Sequence, residues 1–187
     1  MMPPRPTRLA WMLVKEALRE GDLAIDATSG NGHDTAFLAD CVGANGRVIA
    51  FDIQPEAIRH ARMHVGECGF AGRVEFHQES HTNITAHAIP GTVAVVMFNL
   101  GYLPGGDHSI ATESSETLIA IEQAVEVLKP GGLLSIVCYP GHAAGAGEAA
   151  AVEDKVTSLT EDGWRVAAYK MCGTHKPAPF LILGCKP

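Results

Sequence analysis

The residues best suited to chemistry fall in two clusters. Asp26-Ala27-Thr28-Ser29-Gly30-Asn31-Gly32 follows a short apolar run, and its glycines allow a backbone to approach a ligand closely while the next helix points its N–H groups inward. Asp52 stands twenty residues beyond Gly32, at the end of a second apolar run, where a carboxylate can accept two hydrogen bonds from ribose hydroxyls. That pairing points to an adenosine-containing ligand. A pyrophosphate is disfavoured, because the third glycine of a dinucleotide fingerprint is missing: the sixth position counted from Gly30 is Thr35. A carboxylate at Asp26 would also repel phosphate while attracting the ammonium end of an amino acid. S-adenosylmethionine combines those properties, and it is the expected cofactor.

The second cluster is Phe98-Asn99-Leu100-Gly101-Tyr102-Leu103-Pro104-Gly105-Gly106-Asp107, at the end of another apolar run. Its Asn99-Leu100-Gly101-Tyr102 is similar to the Asn-Pro-Pro-Tyr motif of methyltransferases that act on exocyclic amines, with Leu100-Gly101 in place of the two prolines. The Asn99 amide oxygen and the Leu100 carbonyl can accept the N–H bonds of an amine and aim its lone pair at a methyl carbon. Positive charge then moves toward the amine, where carbonyl dipoles and the Tyr102 ring face would stabilise it. An amine charged at neutral pH must first lose a proton, for which Asp107, His108 and His142 are candidates. No covalent nucleophile is needed, and the five cysteines show no Cys-x-x-Cys pair. No metal is expected: neither His60 with His64 nor the group His77, His81 and His87 has an evident further ligand.

These clusters need a scaffold that brings strand ends together. Strands are expected at Leu23 to Asp26, Arg47 to Phe51, Val74 to His77, Val93 to Phe98 and Leu133 to Tyr139. Helices are expected near Asp34 to Cys41, from Pro55 through Val65, and from about Glu116 to Leu128, with Pro130-Gly131-Gly132 as an exit turn. An N-terminal amphipathic helix carries Leu9, Met12, Leu13 and Ala17, and an exposed apolar face there would be the first place to look for a homodimer contact, though the sequence does not specify the oligomeric state. Ala143 to Ala151 reads as a loop running into a helix. Trp164 to Lys170 and Phe180 to Cys185 form an antiparallel C-terminal hairpin. Continuous apolar strands alternating with helices predict a doubly wound α/β fold with a mostly parallel, seven-stranded, Rossmann-like sheet, one domain over residues 1–187.

Composition narrows the function. With 14 Lys and Arg against 21 Asp and Glu, the formal charge is −7, which disfavours nonspecific binding of nucleic acid. A local basic face from Arg5, Arg8, Arg59, Arg62, Lys170 and Lys176 remains available for phosphate contacts. The longest purely apolar stretch in mid-chain, Val93 to Phe98, is far short of the about 20 residues that span a bilayer. No apolar signal core follows the N-terminus, so no membrane association and a cytoplasmic location are expected.

The chain resembles the MnmM (YtqB) family of class I methyltransferases, formerly described as rRNA methylases. The resemblance rests on Asp26-Ala27-Thr28 with Gly30-Asn31-Gly32-His33-Asp34-Thr35, on Phe51-Asp52-Ile53-Gln54, on Ser80-His81, on the Phe98 to Asp107 segment, and on Tyr139-Pro140-Gly141-His142 with Gly145 and Glu148. It implies transfer of a methyl group from S-adenosylmethionine to 5-aminomethyl-2-thiouridine at the tRNA wobble position, with the anticodon stem-loop as partner. It also implies that Asp26, Gly30 and Gly32 meet the methionine part of the cofactor, Asp52 the ribose and Ser80-His81 the adenine. Thr28, Asn31, Asp34, Thr35, Ile53, Gln54 and Asn99 complete the implied cofactor set, and Asn99, Tyr102, Asp107 and His142 the catalytic one. The chain departs from the family pattern at Met171-Cys172-Gly173 and Pro177-Ala178-Pro179. The alternatives are a methyltransferase for rRNA or a small-molecule amine, and a nucleotide-binding module without catalysis.

Overall fold

The computed structural model describes residues 2–101, 114–141, 145–173 and 176–187. Seven strands form one sheet: β1 (Leu23–Asp26), β2 (Arg47–Phe51), β3 (Val74–His77), β4 (Val93–Asn99), β5 (Leu128–Cys138), β6 (Arg165–Lys170) and β7 (Phe180–Cys185). Their order is β3-β2-β1-β4-β5-β7-β6. The first five run parallel, and β7 pairs antiparallel with both β5 and β6. The doubly wound sheet and C-terminal hairpin expected from the sequence are therefore present.

Period-two alternation sends neighbouring side chains of a strand to opposite faces, so a strand apolar throughout needs cover on both. In β4, Val95 and Met97 join one core and Val96 and Phe98 the other. The first core is closed by Ala10 and Val14 of α1 (Pro6–Ala17) and Leu38 and Ala39 of α2 (His33–Cys41). The second is closed by Ile84 of α4 (Ile84–His87), Ala120 and Ile121 of α5 (Ser114–Val127), and Val152 and Val156 of α6 (Gly145–Ser158). α3 (Pro55–Glu67) packs beside α2 and buries Ala57, Ile58, Ala61 and Val65. No described helix is long and apolar enough to cross a membrane.

Three local features differ from the sequence reading. In α1 the buried stripe is Pro6, Ala10 and Val14, whereas Met12 and Leu13 stand 55% and 38% exposed. Small side chains let the helix axis lie close to the sheet, and the larger residues turn outward. Strand β5 begins at Leu128 and carries Pro130-Gly131-Gly132 within it as a bulge. Val93 pairs with Leu128 and Val95 with Leu133, and the bulge is held by Gly131 N–H to the Lys186 carbonyl at 3.1 Å and Lys186 N–H to the Gly132 carbonyl at 3.0 Å. A 3₁₀ turn at His81–Asn83 and the four-residue α4 also lie between β3 and β4, too short for periodicity to reveal.

Gly32 fixes the entry to α2. Its φ is +84°, and a Cβ there would lie 2.6 Å from the Ala61 Cα on α3. Both the backbone conformation and the helix–helix approach require glycine. We expect Gly32→Ala to cost about 1–3 kcal/mol of stability, read as a melting temperature several degrees lower; an unchanged melt would contradict this close approach.

Candidate active site

Strand order reverses between β1 and β4, and in such sheets the ligand crevice opens at the carboxyl ends of those strands. Three carboxylates collect there. Asp26 ends β1, is 1% exposed, and accepts the Thr35 hydroxyl at 2.5 Å and the Thr28 N–H at 3.2 Å. Asp52, just past β2, accepts the Gly30 N–H on Oδ2 and the Gln54 N–H on Oδ1, both at 2.9 Å. Gly30 reaches it with a φ of +50°. Asp34, in the first turn of α2, accepts the Trp11 indole N–H on Oδ1 and the Asn99 amide N–H on Oδ2, both at 2.6 Å.

Asn99 is held from three directions. Its Nδ2 donates to Asp34, its Oδ1 accepts the Tyr139 hydroxyl at 3.0 Å, and its backbone N–H donates to Thr28 Oγ1 at 2.7 Å. The chain Trp11–Asp34–Asn99–Tyr139 thus ties α1, α2, the tip of β4 and the residue after β5 into one network. It also fixes the amide's orientation, with its oxygen retaining one further acceptor position.

Gathering carboxylates out of water disfavours their charged forms. Burial, then the charges of Asp34 and Asp52, push the Asp26 pKa up to about 7, against the lowering effect of its hydrogen bonds from Thr35 and Thr28. Burial likewise raises Asp34, opposed by Trp11 and Asn99, and raises Asp52, opposed by the N–H groups of Gln54 and Gly30. Burial also raises the Tyr139 phenol, with the Asp34 charge adding to it. Such a group of carboxylates fits a ligand that brings positive charge. The Ser29 hydroxyl in the same loop is buried and makes no hydrogen bond, which leaves one more polar group available.

Of the residues singled out from sequence, Asp26, Thr28, Gly30, Gly32, Asp34, Thr35, Asp52, Gln54 and Asn99 meet in or directly support this arrangement. Asn31 is half-buried between the two glycines, and Ile53 stands 51% exposed beside Asp52. Ser80 caps the 3₁₀ turn by accepting the Thr82 N–H at 3.3 Å. His81 is buried against Phe98, with Nδ1 3.1 Å from the Ala27 carbonyl, and burial lowers its pKa. Tyr102, Asp107, His108 and His142 lie outside the described residues. Trp11 was not recognised from sequence as part of the site, and Tyr139 was recognised only within a family segment. Trp11 stacks on Phe37 at 4.6 Å, and only the fold shows that an indole in an amphipathic helix reaches the crevice.

The fold and the carboxylate-lined loop define a class I, S-adenosylmethionine-dependent methyltransferase. A family model described as "Putative rRNA methylase" matches residues 48–184, and the chain belongs to that family. A model for protein-L-isoaspartate(D-aspartate) O-methyltransferase matches residues 4–88. The chain is 36% identical over 189 aligned residues to "tRNA (mnm(5)s(2)U34)-methyltransferase, chloroplastic" of Arabidopsis thaliana, an alignment covering 95% of this chain and 68% of that protein. Among solved structures, a "putative rRNA-methylase" from Clostridium thermocellum superposes with a TM-score of 0.96 at 35% identity, covering 100% of both chains. A "putative methyltransferase" from Streptococcus mutans in complex with SAH gives 0.90 at 32% identity, again covering 100% of both.

The raised Asp26 pKa carries a sign. A carboxylate with an ordinary value near 3.8 unfolded and about 7 folded contributes stability below pH 4 that is lost as pH rises to 7. Asparagine at this position has no such loss. The stability of Asp26→Asn relative to the parent, measured by denaturant melts, should therefore climb between pH 4 and 7 and level off above; a difference independent of pH would contradict the burial of charge at Asp26.

Proposed function

We propose that this chain, acting as one domain over residues 1–187, methylates the primary amine of 5-aminomethyl-2-thiouridine at the tRNA wobble position, giving the 5-methylaminomethyl form. The observation that carries this reading is the 36% identity, over 95% of the chain, with the Arabidopsis protein named for the methylated nucleoside. The site is compatible with amine chemistry, since Asn99 offers an oriented amide oxygen at the tip of β4 beside the carboxylates.

In this reading, Asp26 and the Gly30–Gly32 loop hold the amino-acid end of the cofactor. Asp52 accepts from the ribose hydroxyls with the acceptor positions its backbone partners leave free. Bound S-adenosylmethionine supplies a methyl group made electrophilic by its sulfonium. The Asn99 amide oxygen and the Leu100 carbonyl accept N–H bonds from the neutral amine and aim its lone pair at the methyl carbon. The amine lone pair would form the N–C bond as the C–S bond broke with its electron pair passing to sulfur, and the secondary ammonium so formed would release its proton to water at the open crevice. Asp34 and Tyr139 keep the Asn99 amide from rotating, so orientation is set before the substrate arrives.

An RNA acceptor needs cations near the crevice. The Tyr169 hydroxyl donates to the Pro4 carbonyl at 3.0 Å, which brings the chain at Arg5 to the end of β6 where Lys170 stands in register with Phe180 and, through it, Cys138. Arg5 and Lys170, the latter ion-paired with Glu153 at 2.6 Å, thus fall at the crevice end of the sheet. Arg59 and Arg62 lie on α3, where Arg59 is paired with Glu56 and Arg62 stacks over Phe76. The anticodon stem-loop is proposed to dock across the β5–β7–β6 end.

The test is nucleoside mass spectrometry of tRNA lacking the final wobble methyl, incubated with the protein and methyl-labelled cofactor. Label should appear on the aminomethyl nitrogen, and Asn99→Ala should lower turnover about tenfold or more with cofactor affinity nearly unchanged. Label on another nucleoside, or none, would overturn the assignment.

A further inference from the structure

A second group of polar side chains lies on the edge strand β3, outside the machinery described above. Glu75 and His77 are two residues apart on that strand and therefore project from one face. His87 returns to them from the end of α4. The His77 and His87 ring centroids are 3.8 Å apart, and Phe51 of β2 contacts both rings, at 5.4 and 5.5 Å. One ligand atom from each of Glu75, His77 and His87 lies within 4.8 Å of the others.

A fourth residue completes the pattern. Glu79 Oε1 is 2.8 Å from His87 Nε2 and 3.5 Å from His77 Nδ1. His77 Nε2 is buried and lies 2.8 Å from Glu75 Oε1, at an angle poor for a hydrogen bond. Each imidazole thus lies against a carboxylate, and two stacked rings with two carboxylates converge on one side of the strand as a ready nitrogen and oxygen donor set. Arg47 answers part of the negative charge by pairing with Glu75.

We propose that Glu75, His77 and His87 bind a divalent transition-metal ion of the zinc class, with Glu79 as the outer carboxylate that orients the imidazoles. Two imidazoles and a carboxylate are the nitrogen–oxygen donor set zinc prefers, whereas magnesium and calcium select oxygen alone. A carboxylate on the far nitrogen of a metal-bound imidazole is the usual arrangement that fixes ring tautomer and direction. His81, grouped with these histidines by sequence, is not a ligand: it turns inward to the Ala27 carbonyl. The ion has a defined structural consequence, because the His77 carbonyl accepts the Asp52 N–H at 3.2 Å. Metal at this edge clamps the backbone that presents Asp52.

The test uses zinc itself on untagged protein stripped with chelator. Calorimetric titration should give one ion per chain at micromolar or tighter affinity, retained through desalting when measured by elemental analysis, and zinc should raise the melting temperature by several degrees. His87→Gln, at the half-exposed end of α4, should fold as judged by its own melt and lose both the stoichiometric ion and the zinc-induced shift. Absence of a retained ion in the parent would overturn the site. So would equal retention by His87→Gln, which would place the metal elsewhere, for instance at His33 and His64, whose Nδ1 and Nε2 lie 3.3 Å apart.

Discussion

Three carboxylates held together at the strand tips are the constraint around which the rest of this molecule is organised. Asp26, Asp34 and Asp52 all have pKa values raised by burial, and each is kept in place by donors that cannot follow it elsewhere: Thr35, Trp11 with Asn99, and the backbone of Gly30 and Gln54. The hydrogen bonds favour the charged forms and burial opposes them, and burial prevails. A ligand bearing positive charge would tip that balance, which makes the crevice selective by electrostatics before shape is considered.

In the proposed function the same bonds would connect cofactor chemistry to acceptor chemistry. Asp34 belongs to the carboxylate group and also grips the Asn99 amide, whose other end is held by Tyr139. A change at Trp11, on the far side of Asp34, reaches the proposed amine-positioning residue without touching substrate. This class of fold serves many acceptors, so the scaffold says little about which nucleophile is methylated. In the proposed reading that information lies at the tip of β4 and in the relatives of the whole chain.

Much of this was legible in the sequence where signals are local. Strands β1, β2 and β4 carry apolar runs, and Asp26 and Asp52 stand at the ends of two of them, so the meeting of these carboxylates could be read from spacing. The α1 stripe was misread because the sequence draws attention to Met12 and Leu13, whereas close packing on a sheet favours Pro6, Ala10 and Val14. Trp11 and Tyr139 escaped as partners because their hydrogen bonds span 23 and 40 residues. The histidines show the same limit. His81 stands closer to His77 in sequence than His87 does, yet a 3₁₀ turn buries it and α4 brings His87 back beside Glu75 and His77.

Proton release on cofactor binding tests the electrostatic claim most directly. Near pH 6.5 a substantial share of Asp26 is protonated in the free protein, given its value of about 7, and a cationic ligand must displace that proton to pair with the carboxylate. Calorimetry of S-adenosylmethionine binding in buffers of different ionisation enthalpy should show net proton release, affinity rising from pH 5.5 to 7, and a marked weakening of both effects in Asp26→Asn. Binding that takes up protons, or whose affinity is indifferent to pH across that range, would contradict a charge-selective crevice.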